Sequence, residues 1–163
     1  MISAIVAVDR NWGIGFNGDL LEPIPEDLKR FKQLTTDSTV IMGRKTWDSL
    51  PKKPLPNRFN VIITSKEHED NDVNIKHTTM REVKRLLELD LNNSIFIIGG
   101  GQIYKELLPY CERVYVTHIN KEYENVDTYF PNISETQEWY LSDVSSSREH
   151  NGVEYQFCVY DRL

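Results

Sequence analysis

The sequence predicts a single α/β domain, residues 1–163, with a mostly parallel central sheet, antiparallel strands at its C-terminal edge and flanking helices. Three observations carry this. Apolar strand-like runs recur at residues 1–8, 39–43, 59–64, 94–98 and 112–119. Helical periodicity fills several of the intervals, and beyond residue 138 the pattern changes to alternating stretches around an Asn151-Gly152 turn signal. Strands separated by helices pair in parallel, whereas strands joined by tight turns pair antiparallel. A chain of 163 residues suits one domain with one core, and no repeat, low-complexity tract or linker divides it.

Met1 to Val8 reads as a buried first strand. It is short, lacks a basic leader and meets Asp9 and Arg10 at once, which suits neither a signal peptide nor a membrane span, so a cytoplasmic protein is expected. From Asn11 to Asp19 the spaced glycines Gly13, Gly15 and Gly18 predict a mobile loop carrying Trp12. Pro25, Glu26 and Asp27 open a helix in which Leu28, Phe31 and Thr35 share a face while Lys29, Arg30 and Lys32 turn to water. Gly43 starts a short helix reaching Leu50. Thr79-Met80-Arg81-Glu82 has capping-box spacing and leads into Val83, Leu86 and Leu87 at core-facing intervals. After Gly101, Ile103, Tyr104, Leu107 and Leu108 line one side of a helix that stops at Pro109. Val153, Tyr155, Phe157 and Val159 alternate along a late strand, for which residues 138–144 supply an antiparallel partner. Trp47 and Trp139 read as packing residues.

The junction Ile97-Ile98-Gly99-Gly100-Gly101-Gln102-Ile103-Tyr104 runs an apolar strand into three glycines and then a helix. Such a junction aims backbone N–H groups and a helix N-terminus at one point, which suits a phosphate. A plain strand-to-helix turn accounts for it equally, and the pattern G-x-G-x-x-G fails because Tyr104 takes the third glycine's place. Charge adds to the argument. The net charge of −6 disfavours general nucleic-acid binding, yet from Leu28 to Lys66 nine Lys and Arg stand against two acids, a local +7. The remainder carries 10 basic and 23 acidic residues, or −13, and this division points to a small polyanionic ligand on one region. Cys111 and Cys158 form no C-x-x-C pair and fall on different predicted strands, implying buried free thiols in a reducing compartment. His68, His77, His118 and His150 are scattered without metal-ligand spacing, so no metal is expected, and no Ser-His-Asp or Cys-His arrangement stands out.

Asp27 is the carboxylate best placed for chemistry. An acid in the first helical turn stabilises the helix dipole, and that alone would explain it. Its face suggests more, because Leu28 and Phe31 share it and would desolvate the carboxylate. Burial raises a carboxylate pKa and a helix N-terminus lowers it, which leaves the direction of the shift open. A buried aspartate needs a partner. A ligand with paired N–H donors, such as a pterin or diaminopyrimidine ring, would supply one.

From Ile2 to Tyr160 the chain resembles the dihydrofolate reductases. The signatures are Ile14-Gly15, Pro25-Glu26-Asp27-Leu28-Lys29-Arg30-Phe31-Lys32, Ile41-Met42-Gly43-Arg44-Lys45-Thr46-Trp47, Pro54-Leu55-Pro56-Asn57-Arg58, Ile98-Gly99-Gly100-Gly101-Gln102-Ile103-Tyr104, Thr117 within Tyr115-Val116-Thr117-His118-Ile119, and Asp127-Thr128-Tyr129-Phe130-Pro131. What the resemblance implies is reduction of 7,8-dihydrofolate to tetrahydrofolate, with NADPH delivering hydride to pterin C6 while the adjacent ring nitrogen gains a proton. It assigns Asp27 to hold the pterin and promote that protonation through a water, with Thr117 hydrogen-bonded to the carboxylate. Ile5 and Ile98 would offer backbone carbonyls to the pterin, Leu28, Phe31, Leu50 and Leu55 would wall the aminobenzoyl part, and Arg58 would grip the glutamate α-carboxylate. For NADPH, Arg44, Ser65 and Lys66 would gather round the 2′-phosphate, and Gly43, Lys45 and Thr46 would lie near the pyrophosphate. Gly99, Gly100, Gly101, Gln102 and Ile103 would form the backbone cradle, with Gly99-Gly100 in a cis peptide, and Ala7, Ile14 and Tyr104 would line the nicotinamide pocket. Antifolates are expected ligands and a monomer the expected state.

The main departure is Leu21-Glu22, where the family usually has Pro-Trp, so an apolar wall and an indole donor are missing. An inward Glu22 would raise the apparent pKa of the Asp27 and Glu22 pair; the outward orientation, toward water, is expected. Gln102 in place of a basic residue implies slightly weaker phosphate contacts. Two other readings share much of this. One is a pyrimidine reductase of flavin synthesis with the same fold and cofactor, disfavoured by Asp27, Phe31 and Arg58. The other is a non-catalytic folate or dinucleotide binder in which Leu21-Glu22 marks lost activity.

Overall fold

Runs of Ile and Val too uniformly apolar to leave a face in water belong in the middle of a sheet covered on both sides. The computed structural model describes residues 1–89 and 92–163 and has this arrangement. In chain order its elements are β1 (Ile2–Val8), β2 (Gly13–Phe16), β3 (Asp19–Leu20), α1 (Pro25–Thr35), β4 (Thr39–Gly43), α2 (Arg44–Ser49), β5 (Phe59–Ile63), β6 (Ile75–Thr78), α3 (Met80–Leu89), β7 (Ile95–Gly99), α4 (Gly101–Leu107), β8 (Arg113–Ile119), β9 (Thr128–Tyr129), β10 (Trp139–Val144), β11 (Arg148–His150) and β12 (Val153–Arg162). The main sheet has the order β10-β12-β8-β1-β7-β4-β5-β6, with β11 paired to β12. The six strands from β8 to β6 run parallel. β12 is antiparallel to β8, β10 and β11, and the β11–β12 hairpin turns at Asn151-Gly152 with both φ angles positive. The fold is therefore the mostly parallel α/β class read from the sequence.

Register decides which residues meet on each face. Ile5 of β1 lies opposite Tyr115 of β8, Ala7 opposite Thr117, and Thr117 opposite Phe157 of β12. These side chains share a face with Phe96 and Ile98 of β7, and α1 and α2 cover it through Leu34 and Trp47. The other face carries Ile2, Ala4, Val6, Val8, Val114 and Val116 under Val83 and Leu87 of α3 and Ile103 and Leu107 of α4. The first face is closed less completely: Ile5, Ala7, Ile98, Leu50, Leu55 and Phe31 are all half-buried, an incompletely covered apolar strip where the sheet meets α1 and the α2–β5 segment, called the cleft below.

Several expectations need correction. Residues 11–19 are not the open loop expected, and Trp12 does not sit on its surface. β2 pairs with β3 and β9 in a second small sheet, and Trp12 is buried against His118, Phe130 and Tyr160. The organising group is the buried Asp9, whose Oδ1 accepts from the backbone N–H of Asn11 (2.9 Å) and Gly13 (2.7 Å) and whose Oδ2 accepts from that of Tyr123 (3.3 Å). β6 carries too little apolar signal to stand out. Leu86 is 39% exposed because α3 rests on the sheet through Val83 and Leu87. Cys111 precedes β8 rather than lying on it, but both thiols are free and buried, and burial pushes that of Cys111 up to about 12.

Candidate active site

In parallel sheets, ligand sites form at the carboxyl ends of strands, where the chain leaves the ladder and helix N-termini begin. Here β7, β4 and β5 are neighbours, so Gly99–Gly101, Gly43–Thr46 and Ser65–Lys66 stand side by side along one sheet edge. Gly99 has φ +127°, a conformation that favours glycine, and Gly99-Gly100 is cis as expected. A Cβ on Gly101 would stand 2.5 Å from the Thr128 Cγ2, so the start of α4 lies against β9 with no room for a side chain. Neither α2 nor α4 has a side-chain N-cap, leaving their first-turn N–H groups available. Arg44 and Lys45 are exposed at the start of α2, and Arg44 meets Asp48 at 3.7 Å.

Beyond β5, Thr64, Ser65, Lys66, His68, His77 and Thr79 line a cavity of about 590 Å³. The four histidines are not all scattered: His68 and His77 stack with ring centroids 4.1 Å apart, and His77 Nδ1 lies 2.6 Å from Asp70 Oδ1. Among the described residues no group of side chains could hold a metal ion.

On the cleft side, Asp27 lies in the first turn of α1 and accepts a 2.5 Å hydrogen bond from the Thr117 hydroxyl. Burial raises its pKa against the opposing pull of that hydrogen bond and of Arg30, which settles the direction left open by sequence. Leu28 on the same helix is 53% exposed instead of packed in the core. Ile5 keeps its carbonyl in use, accepting from the buried Tyr104 hydroxyl at 2.6 Å, a contact that joins β1 to α4 beneath Gly99. Ile98 is half-buried beside it, and Ile14 is buried in β2.

Arg58 is buried at the cleft's far end. Its Nη1 donates to Thr35 Oγ1 at 3.0 Å, its Nε donates to the Pro56 carbonyl at 2.9 Å, and its guanidinium lies 5.9 Å from the Phe31 ring centroid. Asn60, fully buried, accepts from the Leu55 N–H and donates to the Leu55 and Arg58 carbonyls, which fixes the loop bearing both residues.

Glu22 is not free in water. It is half-buried and accepts a 2.5 Å hydrogen bond from the hydroxyl of Tyr123, whose ring packs with Ile24, Ile119 and Tyr155. Burial and the adjacent carboxylate both raise the Tyr123 pKa, which keeps it a donor. Sequence reasoning also missed Thr35 as the support of Arg58, and it sent Arg30 to water although Arg30 is half-buried against aromatic rings. A threonine spaced to face the core, and aromatics alternating on late strands, were the available signals.

A parallel sheet whose strand ends gather a glycine cradle, uncapped helix starts and basic side chains belongs to the nucleotide-binding class of α/β folds. The family model described as dihydrofolate reductase matches residues 1–162, and the chain belongs to the dihydrofolate reductase family. It is similar to the dihydrofolate reductase of Bacillus subtilis (strain 168), 38% identical over 165 residues covering 99% of this chain and 95% of the relative. The dihydrofolate reductase of Buchnera aphidicola subsp. Acyrthosiphon pisum (strain APS) is 36% identical over 163 residues, 99% of each chain. That of Sus scrofa is 36% identical over 187 residues, covering 99% of this chain and 97% of the relative.

Proposed function

We propose that this chain reduces 7,8-dihydrofolate to tetrahydrofolate at the cleft between α1 and the strand ends, with Asp27 as the catalytic carboxylate and Thr117 as its partner. It is an NADPH-dependent oxidoreductase that binds dihydrofolate and antifolates as small molecules. The residues at the strand ends fit NADPH: a glycine cradle that a Cβ would fill at Gly101, uncapped helix starts beside it, and Arg44, Lys45 and Lys66 for the phosphates. When bound, NADPH supplies the hydride. Ala7, Ile14 and Tyr104 shield the nicotinamide side from water, and Gly43, Thr46, Ser65, Gly99, Gly100, Gln102 and Ile103 contribute to the cofactor groove.

Asp27 holds the pterin by its amino group and ring N–H, and its carboxylate favours protonation of the ring nitrogen next to the carbon being reduced. The hydrogen bond from Thr117 leaves one Asp27 oxygen for the ligand and fixes its direction. The carbonyl of Ile98, and the second lone pair of the Ile5 carbonyl whose first accepts from Tyr104, would receive the amino group. Leu28, Phe31, Leu50 and Leu55 face the aminobenzoyl part, and Arg58, already oriented by Thr35 and Pro56, takes the α-carboxylate. The observation that carries this reading is the hydrogen bond from the Thr117 hydroxyl to the Asp27 carboxylate over half-buried apolar side chains beside the Gly99 strand end, an environment in which burial raises the carboxylate pKa.

The protein is proposed to act as a monomer in the cytoplasm with no nucleic-acid partner; free buried thiols and a net charge of −6 support the last two points. No helix among the described residues is long and apolar enough to cross a membrane.

The test is spectrophotometric. NADPH absorbance should fall on adding dihydrofolate, and Asp27→Asn should lower turnover by roughly 10²–10⁴-fold while leaving NADPH affinity nearly unchanged. Saturable NADPH binding without oxidation would favour the non-catalytic reading, and oxidation with a flavin-pathway pyrimidine alone would favour the other reductase.

A further inference from the structure

A lysine or arginine on the solvent side of an amphipathic helix stays in water, yet Arg30 does not. Its guanidinium carbon lies 4.5 Å from the Phe157 ring centroid and 5.6 Å from that of Tyr115. Phe157 is the cross-strand partner of Thr117, and Tyr115 is two residues before Thr117 on the same face of β8. Thr117 in turn binds Asp27, one helical turn before Arg30. Cation and carboxylate therefore stand together over the same two strands. The neighbouring cations already have carboxylates. Arg148, 5.4 Å from the Phe157 centroid, pairs with Glu26 at 2.9 Å, and Arg113, 5.8 Å from the Tyr115 centroid, pairs with Asp161 at 2.8 Å. Among the described residues no carboxylate lies within 4 Å of Arg30.

We propose that Arg30 is a positioning residue for the chemistry at Asp27: a cation, held by Phe157 and Tyr115, whose charge sets how readily the carboxylate takes up a proton. This rests on the proposed role of Asp27 in ring protonation, with the protonated carboxyl as the form that assists it. The other titratable and charged groups around the pair are Glu26 on α1, Tyr104 on α4, Tyr115 and Arg113 on β8, Tyr155 on β12, Asp143 on β10 and Arg148 on β11, with Cys158 of β12 behind them on the opposite face of the sheet. The influence is mutual. Arg30 pulls the Asp27 pKa down against the larger effect of burial, and Asp27 supports the charge of an arginine whose own pKa burial draws down. The aromatic faces keep the cation at the cleft without neutralising it, as a carboxylate partner would.

The experiment is the pH dependence of kcat/KM for dihydrofolate in the wild type, Arg30→Met, Arg30→Gln, Arg30→Lys and Asp27→Asn. An opposite charge within about 4–6 Å lowers a carboxylate pKa by about one to three units, and the partial exposure of Arg30 puts it at or below the lower end. Both neutral variants should move the falling alkaline limb upward by about 0.5–1 pH unit. One unit above the wild-type midpoint, activity relative to the plateau should then rise about 2.6- to 5.5-fold. Arg30→Lys keeps the charge and should keep the limb within about 0.2 unit. An unmoved limb in the neutral variants, or an equal displacement in Arg30→Lys, overturns the proposal. Asp27→Asn separates the two readings: a limb that persists there overturns the role of Asp27, whereas a limb lost there but unmoved by neutralising Arg30 overturns the present inference alone.

Discussion

Thr35→Val tests how the carboxylate-binding end of the cleft is built. The side chain is fully buried, and its hydroxyl both donates to the Phe31 carbonyl at 2.8 Å and accepts from Arg58 Nη1 at 3.0 Å. Valine keeps the shape and removes the acceptor. The Phe31 carbonyl loses little, because a hydroxyl bonding back four residues within a helix is an extra contact. Arg58 loses more. A buried donor on a charged group is left without its partner, at about 1–3 kcal/mol, while Nε still holds the Pro56 carbonyl. We therefore expect a loss of about 2 kcal/mol, which for a domain of this size lowers Tm by about 4–8 °C. The freed guanidinium should also grip the α-carboxylate less well, raising KM for dihydrofolate by about 5–20-fold with kcat little changed, because that contact is as strong in the ground state as in the transition state. Thermal unfolding by circular dichroism and steady-state kinetics, run in parallel on a pterin substrate lacking the glutamate, measure both effects. A lowered Tm with unchanged KM refutes the support of Arg58 by Thr35. An equal rise in KM on the glutamate-free substrate refutes the assignment of Arg58 to the carboxylate.

Gly101→Ala should weaken NADPH binding by at least about tenfold, read by fluorescence titration, because the new methyl meets the Thr128 Cγ2 at 2.5 Å and must displace α4 or β9. Thr128→Ser in the same chain removes that methyl and should recover most of the affinity, and failure to do so would show that the clash is not the cause. Tyr123→Phe should cost about 1 kcal/mol, a Tm lower by about 2–4 °C, by leaving the Glu22 carboxylate without its donor. Glu22→Gln still accepts from the tyrosine and should cost less; equal losses would disprove the pairing.

What could be read from the sequence was what depends on local periodicity. The parallel strands announce themselves because both their faces are covered, and α1 does so because Pro25 and two acids mark its start. The Thr117 partnership and the cis Gly99-Gly100 peptide followed only from the resemblance, since no periodicity joins residues 27 and 117. The misses share one cause, which is long-range pairing without a local pattern. Trp12 looked like a loop residue among glycines, yet Asp9 gathers the backbone of that segment and the indole fills a space between Phe130 and Tyr160. Arg30 looked solvated because its helical neighbours are, while the rings that take it up come from β8 and β12. Glu22 read as an outward acid because its partner lies 101 positions away.

These misses converge on one strand. β8 and the segment that follows it supply Thr117 for Asp27, Tyr115 for Arg30 and Tyr123 for Glu22, so each unusual charge around the entrance to α1 is answered from the same arm. A carboxylate with a raised pKa is a burden on the folded state once ionised, and nothing in the packing of α1 requires an acid at position 27. The compensation is partial by construction. Thr117 gives one hydrogen bond and Arg30 a cation held off by aromatic rings, where a direct ion pair would have lowered the pKa further and stabilised the fold more. An acid left incompletely satisfied over an apolar cleft can still gain from a ring that brings its own N–H donors, and the same incompleteness keeps its proton affinity high enough to assist a protonation. Full neutralisation of Asp27 by its own protein would give a more stable domain and a poorer catalyst.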